Sequence, residues 1–239
     1  MKLSKLRAVC IFAIILFIIL SARVAADNLI NQCEKMYISS IYDAAYLFCR
    51  ASAQEGNTTA MLILAELYHN GEGTSQDYIK SYIWTKSAVD FGDKRGFGNL
   101  GLYYKNGLGV IRNDIKAYEY LLLASQNGDV LAQANLGKMY AEGIGTDQDF
   151  LRAQFWWTES SKQGNSAAQF NLGLLYIKDD FVYKSDEKAI MWILISASGG
   201  YEDAERLVAY FQKSLTQSQF LAGVQNAREC VETDYVNCN

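Results

Sequence analysis

Few side chains in this sequence have the type and spacing that chemistry needs. His69 is the only histidine. A metal site would need ligand partners at a recognised spacing, and a catalytic base would need a nucleophile within reach. The sequence offers His69 neither, so it reads as a variable residue on a helix face. Asp179 and Asp180 could attract a cation, but the pattern of an Asp-rich calcium loop and its glycine pivot are missing. That pair reads as a solvated turn. Trp156-Trp157 raises the idea of a sugar-stacking platform, and Asn57-Thr58-Thr59 fits a glycosylation acceptor that matters only on a eukaryotic secretory route. Metal and cofactor chemistry have no other foothold here.

Charge and cysteine content narrow the setting. The chain has 22 basic and 26 acidic residues. Lys2, Lys5, Arg7 and Arg23 all precede residue 27, so the remainder carries 18 basic residues against 26 acidic ones. Such an acidic chain has no electrostatic footprint for nucleic acid. The basic start, the apolar run from Ala8 to Leu20 and the small residues Val24-Ala25-Ala26 make a secretory signal, with cleavage expected after Ala26. The competing reading is an uncleaved anchor, because a span needs about 20 apolar residues and Ala8 to Ala26 nearly supplies them. Contact with a membrane is expected only in that second case. Cys10 sits inside the apolar run without the setting of a lipid-attachment site. Four cysteines then remain, Cys33, Cys49, Cys230 and Cys238. An even number in an exported chain points to disulfides with three connectivities. Pairing Cys33 with Cys49 and Cys230 with Cys238 is favoured over the others, and over four free thiols. Terminal units of a stacked array have one neighbour only and gain most from a staple.

The elements that position these residues follow from an internal period. Leu64, Leu100, Leu136 and Leu172 are 36 residues apart, and Tyr68, Tyr104, Tyr140 and Tyr176 keep the same register. So do Gly56, Gly92, Gly128, Gly164 and Gly200; Ala60, Gly96, Ala132 and Ala168; Lys80, Lys116, Arg152 and Lys188; and Trp84, Tyr120, Trp156 and Trp192. A small residue, Leu and Tyr spaced four apart share one face of a helix. The residue after each Leu is Ala65, Gly101, Gly137 or Gly173, the expected point of closest approach between two helices. The doublets Gly71/Gly73, Gly107/Gly109 and Gly143/Gly145 end the first helix, because glycine takes the left-handed stop without strain. Asp77, Asn113, Asp149 and Ser185 are placed to cap a second helix, and Asp93, Asp129 and Asn165 the next first helix. The aromatic series on the second helix, opposite small residues, is expected in the core, whereas Trp157 is off register and open to another use. The fourth unit has Asp179 and Phe181 where the others have turn glycines. Ile41 to Gln54 matches a second helix, and Ala204 to Gln212 a first helix with Val208 in the Leu position. Thr216 with Gln219 makes a capping box for a last helix.

The order of small residue, Leu-Gly, Tyr, Gly-x-Gly, Asp, Lys-Ala and aromatic over residues 41 to 212 resembles the Sel-one-like repeat, a relative of the tetratricopeptide repeat. The period of 36 and the double glycine separate it from the tetratricopeptide unit of roughly 34 residues. The resemblance implies an all-α fold, an α/α superhelical solenoid, that serves as a scaffold for protein assembly without catalysis. Exported bacterial members are common, so a periplasmic or secreted location is expected. The organisation expected is a signal at 1–26, an N-terminal capping half-repeat at 27–56, repeats at 57–92, 93–128, 129–164 and 165–200, and C-terminal helices and tail at 201–239. Residues just before the periodic Leu form a stripe, Asn99, Asn135 and Asn171. The equivalent stripe in tetratricopeptide-like proteins often contacts a bound peptide; the competing reading is a bond between adjacent helices. With Lys105, Lys138, Glu142 and Trp157, which stacking does not demand, it marks the candidate surface on the concave face for an unidentified protein or peptide. Cell-wall glycan is the second candidate ligand.

Overall fold

The computed structural model describes residues 24–178, 180, 182–233, 235 and 238. The expected signal therefore lies outside the described residues apart from its last three positions, as do Asp179 and Phe181 of the fourth turn. Helix α1 is described over residues 24–38. It is followed by α2 (Tyr42–Gln54), α3 (Thr58–Asn70), α4 (Tyr78–Asp90), α5 (Phe97–Asn106), α6 (Asp114–Gln126), α7 (Val130–Glu142), α8 (Phe150–Lys162), α9 (Ser166–Ile177), α10 (Asp186–Ser198), α11 (Glu202–Ser214) and α12 (Gln217–Glu232). The fold is all-α and built of helix pairs: α2 packs on α3 and α3 on α4, while α6, α7, α8, α9 and α10 each pack on the next, and α10 also packs on α11 and α12. The chain divides into two compact units: one up to Tyr103 together with Gly107–Ile111, the other Tyr104–Asn106 together with Arg112 onwards.

Local chemistry sets the helix limits. Asn57, Asp77, Asn113, Asp129, Asp149, Asn165 and Ser185 each accept a hydrogen bond from the backbone N–H three residues on. Each cap satisfies a donor the helix leaves open, worth about 1 kcal/mol. Asp93 differs: it caps a 3-10 turn, Lys94–Gly96, by accepting from Arg95 N–H, and α5 begins only at Phe97. The glycines Gly96 and Gly98 explain the late start, since glycine in a helix costs about 1 kcal/mol relative to Ala. Thr216 and Gln219 form the capping box of α12.

The second glycine of each doublet is required twice over. Gly73, Gly109 and Gly145 all have positive φ, and a Cβ there would lie 2.2 Å from Tyr42 O, 2.1 Å from Tyr78 O and 2.1 Å from Asp114 O. Each loop therefore rests on the first residue of the preceding second helix. The fourth unit ends α9 differently, with Lys178 in an extended conformation.

In the first unit the core holds Cys33, Ala45, Cys49, Ala60, Leu64 and Tyr68, and a Cys33–Cys49 disulfide joins α1 to α2. In the second it holds Leu136, Tyr140, Trp157, Leu172, Tyr176 and Trp192, with a Cys230–Cys238 disulfide at the end of α12. The basic series has a structural role: Lys80, Lys116, Arg152 and Lys188 sit 5.1 to 5.5 Å over the rings of Tyr68, Tyr104, Tyr140 and Tyr176. Cations so placed over aromatic faces contribute about 0.5–1 kcal/mol each at exposed sites.

Two expectations need correction. The fully buried column of the second helix is one residue beyond the aromatic series, at Cys49, Thr85, Leu121, Trp157 and Ile193. These follow the small residues Ala45, Ser81, Ala117, Ala153 and Ala189 by four positions, and residues four apart lie on one helical face. Trp157 is only 5% exposed, whereas Trp84, Tyr120 and Trp156 are half-buried and only Trp192 of the aromatic series lies in the core as expected. Trp157 is thus core, not a free binding residue. Val208, in turn, is half-buried, because Ala204 and Phe211 supply the buried face of α11.

Candidate functional site

Stacking absorbs most of the repeat, and four of the remaining side chains gather at one place in the second unit. Asn135, Lys138 and Glu142 are three and then four residues apart on α7 and so share a face. Lys105, from the last turn of α5, donates from Nζ to Asn135 Oδ1 at 2.5 Å. Asn135 Nδ2 donates to Leu131 O at 2.8 Å, which holds the amide in place. Lys138 pairs with Glu142 at 3.7 Å, both about half exposed. A pair so open to water contributes at most about 1 kcal/mol. Burial pushes the Lys105 ammonium below the ordinary lysine range, and the Lys138 charge pushes the same way while Glu142 opposes it. The cluster is a set of donors and one carboxylate on a helix face, a chemistry that makes polar contacts.

Among the described residues the Lys105–Asn135 bond has no counterpart at the other Asn positions. The residue equivalent to Lys105 is His69 before Asn99 and Ala141 before Asn171. Ala141 has no donor, and His69 instead meets Tyr78 and Tyr103 edge-on or tilted at 5.1 and 5.9 Å. Asn99 is exposed and belongs to the first unit, while Asn171 is half-buried on α9. Thus Lys105, Asn135, Lys138 and Glu142 come together in the second unit, and among its described residues Asn171 and Trp157 do not join them. Trp157 donates from its indole to Ala134 O at 3.0 Å and covers Gly137, where a Cβ would meet the ring at 2.6 Å. Among the described residues no three His, Cys, Asp or Glu side chains gather as a metal site.

Sequence reasoning missed an apolar groove in the first unit, lined by Tyr78, Ile79, Gly109, Val110 and Ile111. Ile111 is 89% and Ile79 61% exposed. The available signal was Val110-Ile111, two β-branched apolar residues in a turn whose equivalents are Thr74-Ser75 and Thr146-Asp147.

Comparison with known proteins agrees with the repeat fold. The profile of the Sel1 repeat family matches residues 58–93, 99–129, 130–165 and 166–201. Among solved structures, a protective antigen of uropathogenic Escherichia coli displaying an SLR fold is 28% identical with a TM-score of 0.66, over 79% of this chain and 42% of the antigen. This chain therefore spans less than half of that antigen. A Sel1 repeat protein from Oxalobacter formigenes is 22% identical with a TM-score of 0.68, over 82% of this chain and 83% of that one. An immunity protein from Pseudomonas aeruginosa shares the fold at 20% identity and a TM-score of 0.51, over 86% and 84% of the two chains. No curated protein matches the chain in sequence. Sel1 repeat proteins are commonly protein-interaction modules and generally non-catalytic scaffolds. Four matched repeats, each a helix pair with its Leu, Tyr and cation in the same places, establish that the chain belongs to the Sel1 repeat family.

Proposed function

We propose that this chain is an exported scaffold that holds a protein or peptide segment along the exposed face of α7, with Lys105, Asn135, Lys138 and Glu142 as its polar centre. Asn171 is a further first-helix position of the same unit that a longer partner would meet, and Asn99 is the corresponding position of the first unit. The observation that carries this reading is the Lys105–Asn135 bond, made by side chains at register positions that stacking leaves free. A repeat array offers an extended surface and needs no enclosed pocket. The organisation proposed with it is a signal at 1–26, a cap at 27–56, repeats at 57–92, 93–128, 129–164 and 165–200, and terminal helices at 201–239. The signal pattern and the two disulfides support delivery to an oxidising compartment, a bacterial periplasm or the exterior. The burial of Trp157 takes away the second half of the Trp156-Trp157 platform that a glycan ligand would need, and so favours a protein partner.

The test is site-specific photo-crosslinking in the native host. A photoreactive residue at Asn135 should capture a partner that the same residue at exposed Glu119 on α6 does not. Lys105→Gln with Lys138→Gln should abolish that capture in a folded protein. Equal capture from both positions, or capture indifferent to the two lysines, removes this face as the site. An N-terminus at Met1 in the exported material would sink the cleaved signal.

A further inference from the structure

Two pairs of tyrosines meet hydroxyl to hydroxyl where one helix pair passes to the next. In the first unit the hydroxyls of Tyr46 on α2 and Tyr68 on α3 are 3.0 Å apart, with ring centroids at 5.7 Å and planes at 90°. In the second unit Tyr118 on α6 and Tyr140 on α7 repeat the contact at 2.8 Å, with centroids at 5.7 Å and planes at 87°. The register continues to Gln154 and Tyr176, where the Gln154 amide donates to the Tyr176 hydroxyl at 2.6 Å. Gln154 holds its neighbour from the same place, so packing alone does not require a second phenol.

Other neighbouring rings are arranged differently. Tyr37 and Tyr42 have centroids 6.1 Å apart, but the Tyr42 hydroxyl donates to Ser40 Oγ and the Tyr37 hydroxyl to Glu66. Tyr82 and Tyr103 have centroids 6.3 Å apart, and the Tyr103 hydroxyl lies 2.6 Å from Ser81 Oγ. A cation also stands at each hydroxyl pair. Arg152 Nη1 donates to the Tyr140 hydroxyl at 3.4 Å. In the first pair the hydrogen bond with Tyr68 holds the Tyr46 hydroxyl below the ordinary tyrosine range, and Arg50 and Lys80 add to this against the effect of burial. One member of each pair, Tyr46 or Tyr118, is half-buried and gives an electron a way out, while Tyr68 and Tyr140 are 6% and 3% exposed.

We propose that Tyr46–Tyr68 and Tyr118–Tyr140 are sites of oxidative cross-linking, at which hydrogen peroxide acting through a haem peroxidase joins the two phenols as dityrosine and bolts a first helix to the second helix before it. Each phenol yields one electron and one proton to the oxidant, leaving two phenoxyl radicals. A bond forms between one ortho carbon of each ring; those two carbons then shed their hydrogens as protons, and each oxygen takes one up. The chain loses two hydrogens per link, and the peroxide, its O–O bond broken, leaves as two waters. Each ortho carbon adjoins the carbon that bears the hydroxyl, so hydroxyls in contact bring the reactive edges together. Partners held in this way couple far faster than partners that must collide. The link closes a loop that the unfolded chain leaves open, and so stabilises the joint between the helices.

The test treats the dilute full chain with hydrogen peroxide and a haem peroxidase. It reads the blue dityrosine fluorescence and the mass of the monomer, and maps the linked peptides after digestion. Expected are a loss of two hydrogens for each link and peptides joining Tyr46 to Tyr68 and Tyr118 to Tyr140. Tyr46→Phe should delete the first link and keep the second, and Tyr118→Phe the reverse. The double variant should lower the dityrosine yield of the monomer at least about tenfold. Phenylalanine keeps the ring, and thermal unfolding of the unoxidised variants checks the fold. Gln154→Tyr puts a phenol opposite Tyr176 and should add a third link. Links confined to exposed tyrosines such as Tyr183 and Tyr210 of different chains overturn the proposal. Equal yields at Tyr37–Tyr42 and Tyr82–Tyr103 do the same, because the hydroxyl contact then has no part in the coupling. A Gln154→Tyr chain without the third link shows that the register position does not direct the reaction, and sinks it as well.

Discussion

The third and fourth repeats, α7–α8 and α9–α10, share one frame and differ in what is attached to it. Leu136 and Leu172, Tyr140 and Tyr176, and Arg152 over Tyr140 and Lys188 over Tyr176 are the same structural parts. The closest helix approach is also shared, but Gly137 receives Trp157 and Gly173 receives Ile193. The third repeat carries the Lys105–Asn135 bond and leaves Trp156 half-buried; the fourth lacks that bond and has Trp192 covered. The comparison teaches that shared positions build the stack, and that side chains outside the shared set, including one beyond the repeats, distinguish the surfaces.

The largest expected break in that frame is Trp157→Ala, which removes a buried indole and its hydrogen bond to Ala134 O. It should cost about 3–5 kcal/mol in urea unfolding, against about 1 kcal/mol for Trp156→Ala; equal costs would refute the assignment of the buried column. Gly145→Ala should cost about 3 kcal/mol. The carbonyl of Asp114 is backbone and yields little, and the left-handed conformation adds roughly 1–2 kcal/mol of its own. Gly173→Ala is expected to cost less, about 1–2 kcal/mol, because its nearest neighbour is the flexible end of Ile193.

A pH effect of about 2 kcal/mol is expected at Asp93. Its carboxyl is held at about 2 by the side-chain hydrogen bond from Arg95. The folded value lies below the ordinary carboxylate value, so this stabilisation is complete above about pH 4 and is lost as the pH falls towards 2. The stability difference between wild type and Asp93→Asn should shrink between pH 5 and pH 2; a constant difference would rule out the linkage.

The smallest stability effect is expected at Lys105. Burial depresses its ammonium, so removing the buried charge relieves a cost that offsets loss of the hydrogen bond to Asn135. Lys105→Gln should lie within about 0.5 kcal/mol of wild type. Its separate readout is partner capture at Asn135, which it should diminish.

Much of this was legible in the sequence because it is local or periodic. Caps at Asp77, Asn113 and Asp149 need only a side chain and an N–H three residues away, and the Gly-x-Gly stops need only backbone freedom. The aromatic column was misread by one position because residues three and four beyond a small residue are both its neighbours on a helix. Only the facing Gly137 shows which of Trp156 and Trp157 enters the gap. The Lys105–Asn135 bond was legible as two candidates, but not as a pair. It joins residues 30 apart in sequence, and the register alone would equally have paired His69 with Asn99.

The 36-residue period by itself determined the helix pairs, their glycine stops and the family. Repetition writes the same local constraints four times, and local constraints do not depend on the rest of the fold. The tertiary structure alone decided which tryptophan is core, which lysine meets which amide, and that Tyr235 stacks on Trp192. These depend on which faces of separate helices meet, a matter of packing that spacing along the chain does not encode.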